Sequence, residues 1–116
     1  MKEKKPRSLK QILMGGLGRS WMAWPPRNEV KRRCKIPGKT GWYQCEQCKR
    51  PHEKLDVDHI SPVVSVADGF TGWDTYIASK FVDASKLRGL CRSCHAAKTK
   101  EENKQRREIN KQRTSL

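Results

Sequence analysis

The chain has 116 residues, of which only 34% are hydrophobic, so it can bury one small core. It carries 26 lysines and arginines against 12 aspartates and glutamates, and the net charge of +14 predicts a polyanionic partner. No apolar run is long enough to cross a bilayer and no secretory signal is recognisable. We therefore expect no membrane partner and a cytoplasmic location.

The charge is distributed unevenly along the chain. The first 40 residues contain twelve basic and two acidic residues, and residues 96–116 contain seven basic and three acidic ones. Residues 41–95 contain seven of each. This pattern predicts a basic N-terminal arm over residues 1–40, a compact domain over 41–100 and a basic helical tail over 101–116. Such arms hold a module against a polyanion, or they only keep a small protein soluble.

Two helices and two strands are predicted in the N-terminal half. A short helix over Leu9–Leu13 is expected to end at Gly15–Gly16, because glycine disfavours helix interiors. A basic helix over Arg27–Arg33 follows two prolines, which suit a first helical turn. Strands are expected over Trp42–Gln44 and over Leu55–Asp58, where apolar and acidic residues alternate.

The C-terminal half is predicted to contain two helices. Residues 63–72 lack a sustained period and are expected to form a loop. Aromatic and apolar residues at helical spacing predict an amphipathic helix over Asp74–Val82, whose aromatic side chains pack over the core. After a short extended stretch with Leu87 and Leu90, high helix propensity runs from Arg92 to about Gln112.

Four of the five cysteines form two CxxC pairs, Cys45/Cys48 and Cys91/Cys94. In a reducing compartment such pairs indicate metal binding rather than disulfides. Four thiolates bind zinc tetrahedrally, and the two-residue spacer lets one tight turn present two sulfurs. The sequence therefore predicts a structural zinc site that closes around a folded insert of 42 residues. The second pair and His95 also match the attachment pattern of c-type haem, which leaves the first pair unexplained.

Other candidate residues lie outside the cysteine pairs. Cys34 is interpreted as a free thiol without an assigned role, and His52 as part of a surface turn. Trp21 and Trp24 either anchor the N-terminal arm to the core or stack on unpaired bases, and we favour anchoring.

Asp58, His59 and His95 lie beside the cysteine pairs, although a zinc site does not require them. An imidazole, whose ordinary pKa is about 6.5, can accept a proton at neutral pH, so His59 suits a general base. Asp58 and His59 are adjacent on a predicted strand and point to opposite faces unless the backbone bends there. Purely structural roles remain open: a turn residue, a hydrogen-bonding side chain, and for His95 a helix start or a further zinc ligand.

Three segments carry a family resemblance. They are Tyr43-Gln44-Cys45-Glu46-Gln47-Cys48, Val57-Asp58-His59-Ile60 and Leu90-Cys91-Arg92-Ser93-Cys94-His95-Ala96-Ala97-Lys98-Thr99. In this combination they resemble the zinc-bearing HNH endonucleases. Further segments are similar to the HNH proteins that tailed bacteriophages and prophages encode near their packaging terminase: Gly72-Trp73-Asp74-x-Tyr76-Ile77, Phe81-Val82-Asp83 and Trp24-Pro25-Pro26-Arg27.

The resemblance implies a small α+β core of the ββα-metal type, treble-clef-like and closed by the four-cysteine zinc site. It also implies a second, catalytic divalent ion (Mg²⁺, Mn²⁺, Ni²⁺ or Zn²⁺) on Asp58 and His95, with His59 as the base that activates water. The expected activity is nicking or weakly specific cleavage of DNA in a bacterial host, beside terminase subunits and without an organic cofactor. The alternative is a zinc-stabilised nucleic-acid-binding protein or terminase accessory factor without catalysis.

Basic side chains are expected to contact phosphates rather than bases. The candidates are Arg32, Arg33, Arg92, Lys98 and Lys100. The family often has an asparagine five positions before the third cysteine, where this chain has Lys86. We expect Lys86 either to neutralise a phosphate or to face water, and we assign it no catalytic role.

Overall fold

Four helices and two short antiparallel sheets are present in the computed structural model, which describes residues 5–114. The helices are α1 (Leu9–Trp21), α2 (Pro25–Cys34), α3 (Trp73–Lys80) and α4 (Arg92–Thr114). The strands are β1 (Tyr43–Gln44), β2 (Pro51–His52), β3 (Asp56–His59) and β4 (Leu87–Leu90), and a 3₁₀ turn spans Ala84–Lys86. The predicted α+β class is confirmed. The outermost residues of the two predicted arms, 1–4 and 115–116, lie outside the described residues.

Helix α1 is longer than the sequence predicts. It begins at a capping box, in which Ser8 Oγ accepts from the Gln11 backbone N–H and Gln11 Oε1 accepts from the Ser8 N–H. The prediction that Gly15–Gly16 end this helix is wrong, because α1 continues to Trp21. Each interior glycine costs about 1 kcal/mol relative to alanine. Trp21, the last residue of α1, packs against the hydrophobic core.

The main core lies between α2 and the β3–β4 sheet. Its buried members are Val30, Cys34, Leu55, Val57, Ala84 and Leu87. Val30 and Cys34 are four residues apart and share one face of α2. Residues 25–34 therefore belong to the packed unit, although the sequence analysis places them in the N-terminal arm. The predicted free Cys34 is buried in this core.

The β3–β4 pairing determines which side chains face which helix. In its antiparallel register Asp56 lies opposite Leu90 and Asp58 opposite Arg88. Asp56 and Asp58 contact residues of α4, whereas Val57, the residue between them, is buried in the main core. This alternation is the two-residue period of a strand, and it directs the acidic face of β3 toward α4.

The aromatic side chains attach the N-terminal helices to the rest of the fold. Trp24 Nε1 donates to the Val82 carbonyl at 2.7 Å, and its ring meets Phe81 edge-on. The Trp21 ring stacks on His59 at a centroid distance of 4.8 Å. These contacts confirm the predicted anchoring of the arm.

Helix α3 packs its aromatic side chains inward, as predicted. Tyr76 is buried, and its ring contacts those of Phe70 and Trp73. Within residues 5–114, no helix combines the length and the apolar content that a membrane crossing requires.

Candidate functional site

The four paired cysteines form one cluster, as the sequence predicts. Cys45 and Cys48 lie on the turn between β1 and β2, while Cys91 follows β4 and Cys94 lies in the first turn of α4. Their Sγ atoms all lie within 4.8 Å of one another, and Cys48 Sγ is 3.9 Å from Cys91 Sγ. Thiolates bound to one tetrahedral zinc ion are about 3.8 Å apart. The cluster could therefore hold a structural metal such as zinc.

The surroundings of Cys45 favour its ionised form. Burial alone would raise the pKa of this thiol, but backbone N–H groups of Cys48, Cys91 and Gln47 stabilise the thiolate and lower the pKa to about 6. A thiolate is the form that binds a metal. Cys34 differs, because burial and the nearby Glu46 carboxylate raise its pKa to about 11.

His52 does not lie in a surface turn. It belongs to β2, where it pairs with Tyr43, and its Nε2 atom is 3.7 Å from Cys48 Sγ. Strand β2 has only two residues, too few to show the alternation of a strand in sequence. The sequence therefore contained no signal for it.

A second site lies where β3 meets the start of α4. His95 Nε2 is 3.7 Å from Asp58 Oδ1, so the structure brings together the two residues predicted to bind the catalytic ion. The other ring nitrogen, His95 Nδ1, donates to Asp56 Oδ2 at 3.2 Å. This bond fixes the tautomer and leaves Nε2, the atom that faces Asp58, free to bind a metal.

Lys98 holds the other oxygen of the same aspartate. Its ammonium lies 2.7 Å from Asp58 Oδ2 and 2.6 Å from Glu102 Oε1, and it donates to the His59 carbonyl at 2.8 Å. The two carboxylates outweigh the effect of burial and raise the pKa of Lys98. Asp58 is thus held by a cation on one oxygen and presents the other to His95.

The side chain of His59 occupies a separate environment. It is only 9% exposed, stacks on Trp21, and donates from Nε2 to the Lys80 carbonyl at 2.7 Å. A carbonyl can only accept, so Nδ1 is the ring atom left to accept a proton. Burial lowers the pKa of His59 and outweighs the Lys80 carbonyl and the Asp58 charge, which both raise it. Burial therefore favours the neutral imidazole.

The predicted triad is only partly assembled. Asp58 and His95 approach each other, but the His59 ring lies toward α1 and α3, and no contact with either partner is seen in the described part of the chain. Asp58 and His59 still interact electrostatically, because the Asp58 charge raises the pKa of His59 and partly opposes the effect of burial.

The predicted phosphate-binding residues fall into two groups. Arg32, Arg92 and Lys100 are exposed. Arg33 is also exposed, but it donates to the carbonyls of Ala84 and Leu87 and to Glu46. Lys98 is held by Asp58 and Glu102. Phosphate binding by Arg33 and Lys98 stays a prediction. In the structure both side chains contact groups of the protein itself.

Asp56 and Glu102 were not among the predicted site residues. A signal existed for each, because Asp56 is two residues from Asp58 on the same strand face and Glu102 is four residues from Lys98 on a helix. No sequence signal indicated that the Lys80 carbonyl accepts from His59, because only the tertiary fold brings this backbone group to the ring.

Comparisons of the chain with protein-family models, with curated proteins and with solved structures find no match.

Proposed function

We propose that this protein is a metal-dependent DNA endonuclease of the HNH type. The observation that carries the proposal is the 3.7 Å approach of Asp58 Oδ1 and His95 Nε2 beside a strand that also carries His59. Each of the two proposed metal ligands is held by a further residue: Asp56 contacts His95, and Lys98 contacts Asp58. The resemblance in sequence gives the same three residues the roles of metal ligands and base.

The donor set fits a divalent ion. Two ligands at about 2.1 Å from one ion lie roughly 3–4 Å apart, which matches the approach of Asp58 and His95. Asp58 Oδ2 is buried, and its contact in the described chain is the ion pair with Lys98 at 2.7 Å. A third histidine, cysteine or carboxylate ligand is absent within residues 5–114, which leaves coordination positions for water and a phosphate oxygen. A bound ion would supply positive charge beside the scissile phosphate.

The chain's own residues supply the proton transfer. His59 is neutral at pH 7 and has Nδ1 free, so it can take a proton from the attacking water. The Lys80 carbonyl fixes the ring and its tautomer, as the carboxylate does in other histidine bases. Asp58 is held by Lys98, and Asp56 orients His95.

Zinc on the four cysteines would be structural and would take no part in hydrolysis. A structural site has four protein ligands and no open position for substrate, and four thiolates fill the cluster.

The exposed Arg32, Arg92 and Lys100 would bind phosphates, which carry no sequence information, so nicking or weakly specific cleavage is expected. By resemblance alone, we extend the proposal to phage or prophage origin and to a role beside terminase in DNA packaging.

A second candidate is a zinc-stabilised nucleic-acid-binding protein without catalysis. The observation that favours it is the burial of His59 beneath Trp21, which restricts access to the proposed base. Both candidates require salt-sensitive DNA binding, so binding alone does not separate them.

Nicking of supercoiled plasmid separates the two candidates. We expect zinc-loaded protein to relax the plasmid with Mg²⁺, Mn²⁺ or Ni²⁺, and His59→Gln to reduce the rate by about 10²–10⁴, the typical contribution of a general base. His52→Gln is the matched control, because His52 lies at the cysteine cluster, and it should keep the wild-type rate. If wild type and His59→Gln leave the plasmid equally intact with every metal, the binding protein is the better description.

A further inference from the structure

A cavity of about 410 Å³ lies between the end of β3, helix α3 and the 3₁₀ turn, and His59 forms part of its wall. Its volume is within the range of about 300–1,000 Å³ that is typical of sites for small organic ligands. Besides His59, the polar residues that line it are Ser61, Ser79, Ser85 and Lys86.

The lining selects the chemical class of the ligand. No acidic side chain among the described residues lines the cavity, so it does not suit a cation. Hydroxyls and an ammonium instead donate hydrogen bonds to phosphate and sugar oxygens, which accept them. Ile60 and Val82 add apolar surface for a base or the face of a sugar.

We infer that this cavity binds one nucleotide of the DNA strand beside the cleavage site, with Lys86 on its phosphate. The inference rests on the proposed nuclease function, because only that function places DNA against His59. It assigns a ligand to the lysine that stands where the resembling family often has an asparagine.

The backbone of Lys86 is fixed at the edge of the cavity. Its carbonyl accepts from the Ile60 N–H at 3.0 Å, and its N–H donates to the Asp83 carbonyl at 3.0 Å. The side chain is exposed, so the ammonium can reach a phosphate while its Cα stays in place. Such preorganisation reduces the entropy that binding costs.

The test is a titration of the full-length, ¹⁵N-labelled, zinc-loaded chain without any other divalent ion. Thymidine 5′-monophosphate, thymidine and inorganic phosphate are added separately, and backbone amide shifts are followed by NMR. We expect the nucleotide to shift the amides of Ser61, Ser79 and Lys86 and to bind more tightly than either fragment. Lys86→Gln should weaken nucleotide binding by about fivefold, the upper range for one exposed charge contact.

Two variants make the result specific. Lys54→Gln removes an exposed lysine outside this cavity and should bind the nucleotide as wild type does. Ala78→Phe fills the cavity from α3 and should abolish the shifts while circular dichroism stays unchanged.

Three outcomes overturn the inference: no amide shifts at the cavity, inorganic phosphate binding as tightly as the nucleotide, or equal weakening by Lys86→Gln and Lys54→Gln. The measurement needs no cleavage, so a protein that fails to nick plasmid can still bind the nucleotide. A nicking enzyme without cavity shifts would refute the nucleotide site alone.

Discussion

At the scale of single residues, alternation along β3 divides the site in two. Asp56 and Asp58 meet α4, where His95 and Lys98 contact them. His59 lies on the other face, below Trp21. A strand cannot present adjacent side chains to one side, so in the proposed nuclease the metal ligands and the base would approach a phosphate from two directions.

Asp56 is the residue whose role the structure adds, and its removal should weaken metal binding. Without the carboxylate, His95 Nδ1 loses its acceptor and the ring loses its fixed orientation toward Asp58. We expect Asp56→Ala to lower Mn²⁺ affinity by about tenfold, the lower end for outer partners of ligating histidines. Electron paramagnetic resonance of Mn²⁺ with zinc-loaded protein measures this affinity directly.

Asp74→Ala is the control for that experiment, because Asp74 is an exposed carboxylate in the first turn of α3. It removes the same negative charge far from His95 in sequence and should leave Mn²⁺ affinity near the wild-type value. Equal affinities for Asp56→Ala and Asp74→Ala would show that Asp56 does not orient His95.

The buried imidazole of His59 should titrate below the ordinary histidine value. Burial disfavours its charged form and lowers its pKa below 6.5, despite the opposing effects of the Lys80 carbonyl and the Asp58 charge. We expect its NMR titration to have a midpoint below pH 6.5, with the resonance assigned by its loss in His59→Gln. A midpoint at or above the ordinary value contradicts the assignment of a neutral base.

The same shift has a consequence for stability. The unfolded chain binds a proton at His59 near pH 6.5, before the folded protein does, so acidification favours unfolding. The stability that neutral His59 contributes is fully present above pH 6.5 and is lost as the pH falls through the folded pKa.

At the scale of elements, two glycines have opposite roles. Gly18 lies inside α1, and an added Cβ there would meet nothing within 4 Å. Gly89 lies in β4, where a Cβ would stand 2.6 Å from Leu55 Cδ2 and 2.9 Å from Cys34 Sγ. The same substitution should therefore act in opposite directions at the two positions.

We expect Gly18→Ala to raise the free energy of unfolding by about 0.5–1 kcal/mol, because alanine favours a helix interior. Gly89→Ala should lower it by about 1–3 kcal/mol, the usual cost of overpacking. Urea denaturation of zinc-loaded protein measures both. A destabilised Gly18→Ala would indicate that α1 does not continue past Gly16 in solution.

Elements were predictable where their signal is local. The basic helix α2 and the long α4 follow from propensity and prolines, and β3 follows from the alternation of its residues. Strand β2 has two residues, too few to show a period, and it exists only through pairing with β1. The second half of α1 has no such local signal: it ends at Trp21, whose ring packs against His59, 38 positions away in sequence.

At the scale of the whole molecule, packing determines which basic side chains find partners within the protein. The sequence grouped five basic residues as phosphate contacts, but a sequence cannot show that Arg33 folds back onto backbone carbonyls of Ala84 and Leu87. The pairing of Asp58 with His95 was foreseeable from the family resemblance. The ion pair between Lys98 and Asp58 was not foreseeable, since it depends on how α4 packs against β3.

The salt dependence of DNA binding should separate these two groups. Each lost phosphate contact lowers the slope of log Kd against log salt by about 0.9 for duplex DNA. Replacing the exposed Arg32, Arg92 and Lys100 together by glutamine should therefore reduce the slope by roughly 2.7.

Arg33→Gln should leave the slope unchanged and lower the free energy of unfolding by about 1 kcal/mol, because it removes internal hydrogen bonds. If Arg33→Gln reduces the slope by about 0.9 and leaves stability unchanged, Arg33 leaves its carbonyl partners to bind phosphate, and its internal contacts do not persist on DNA.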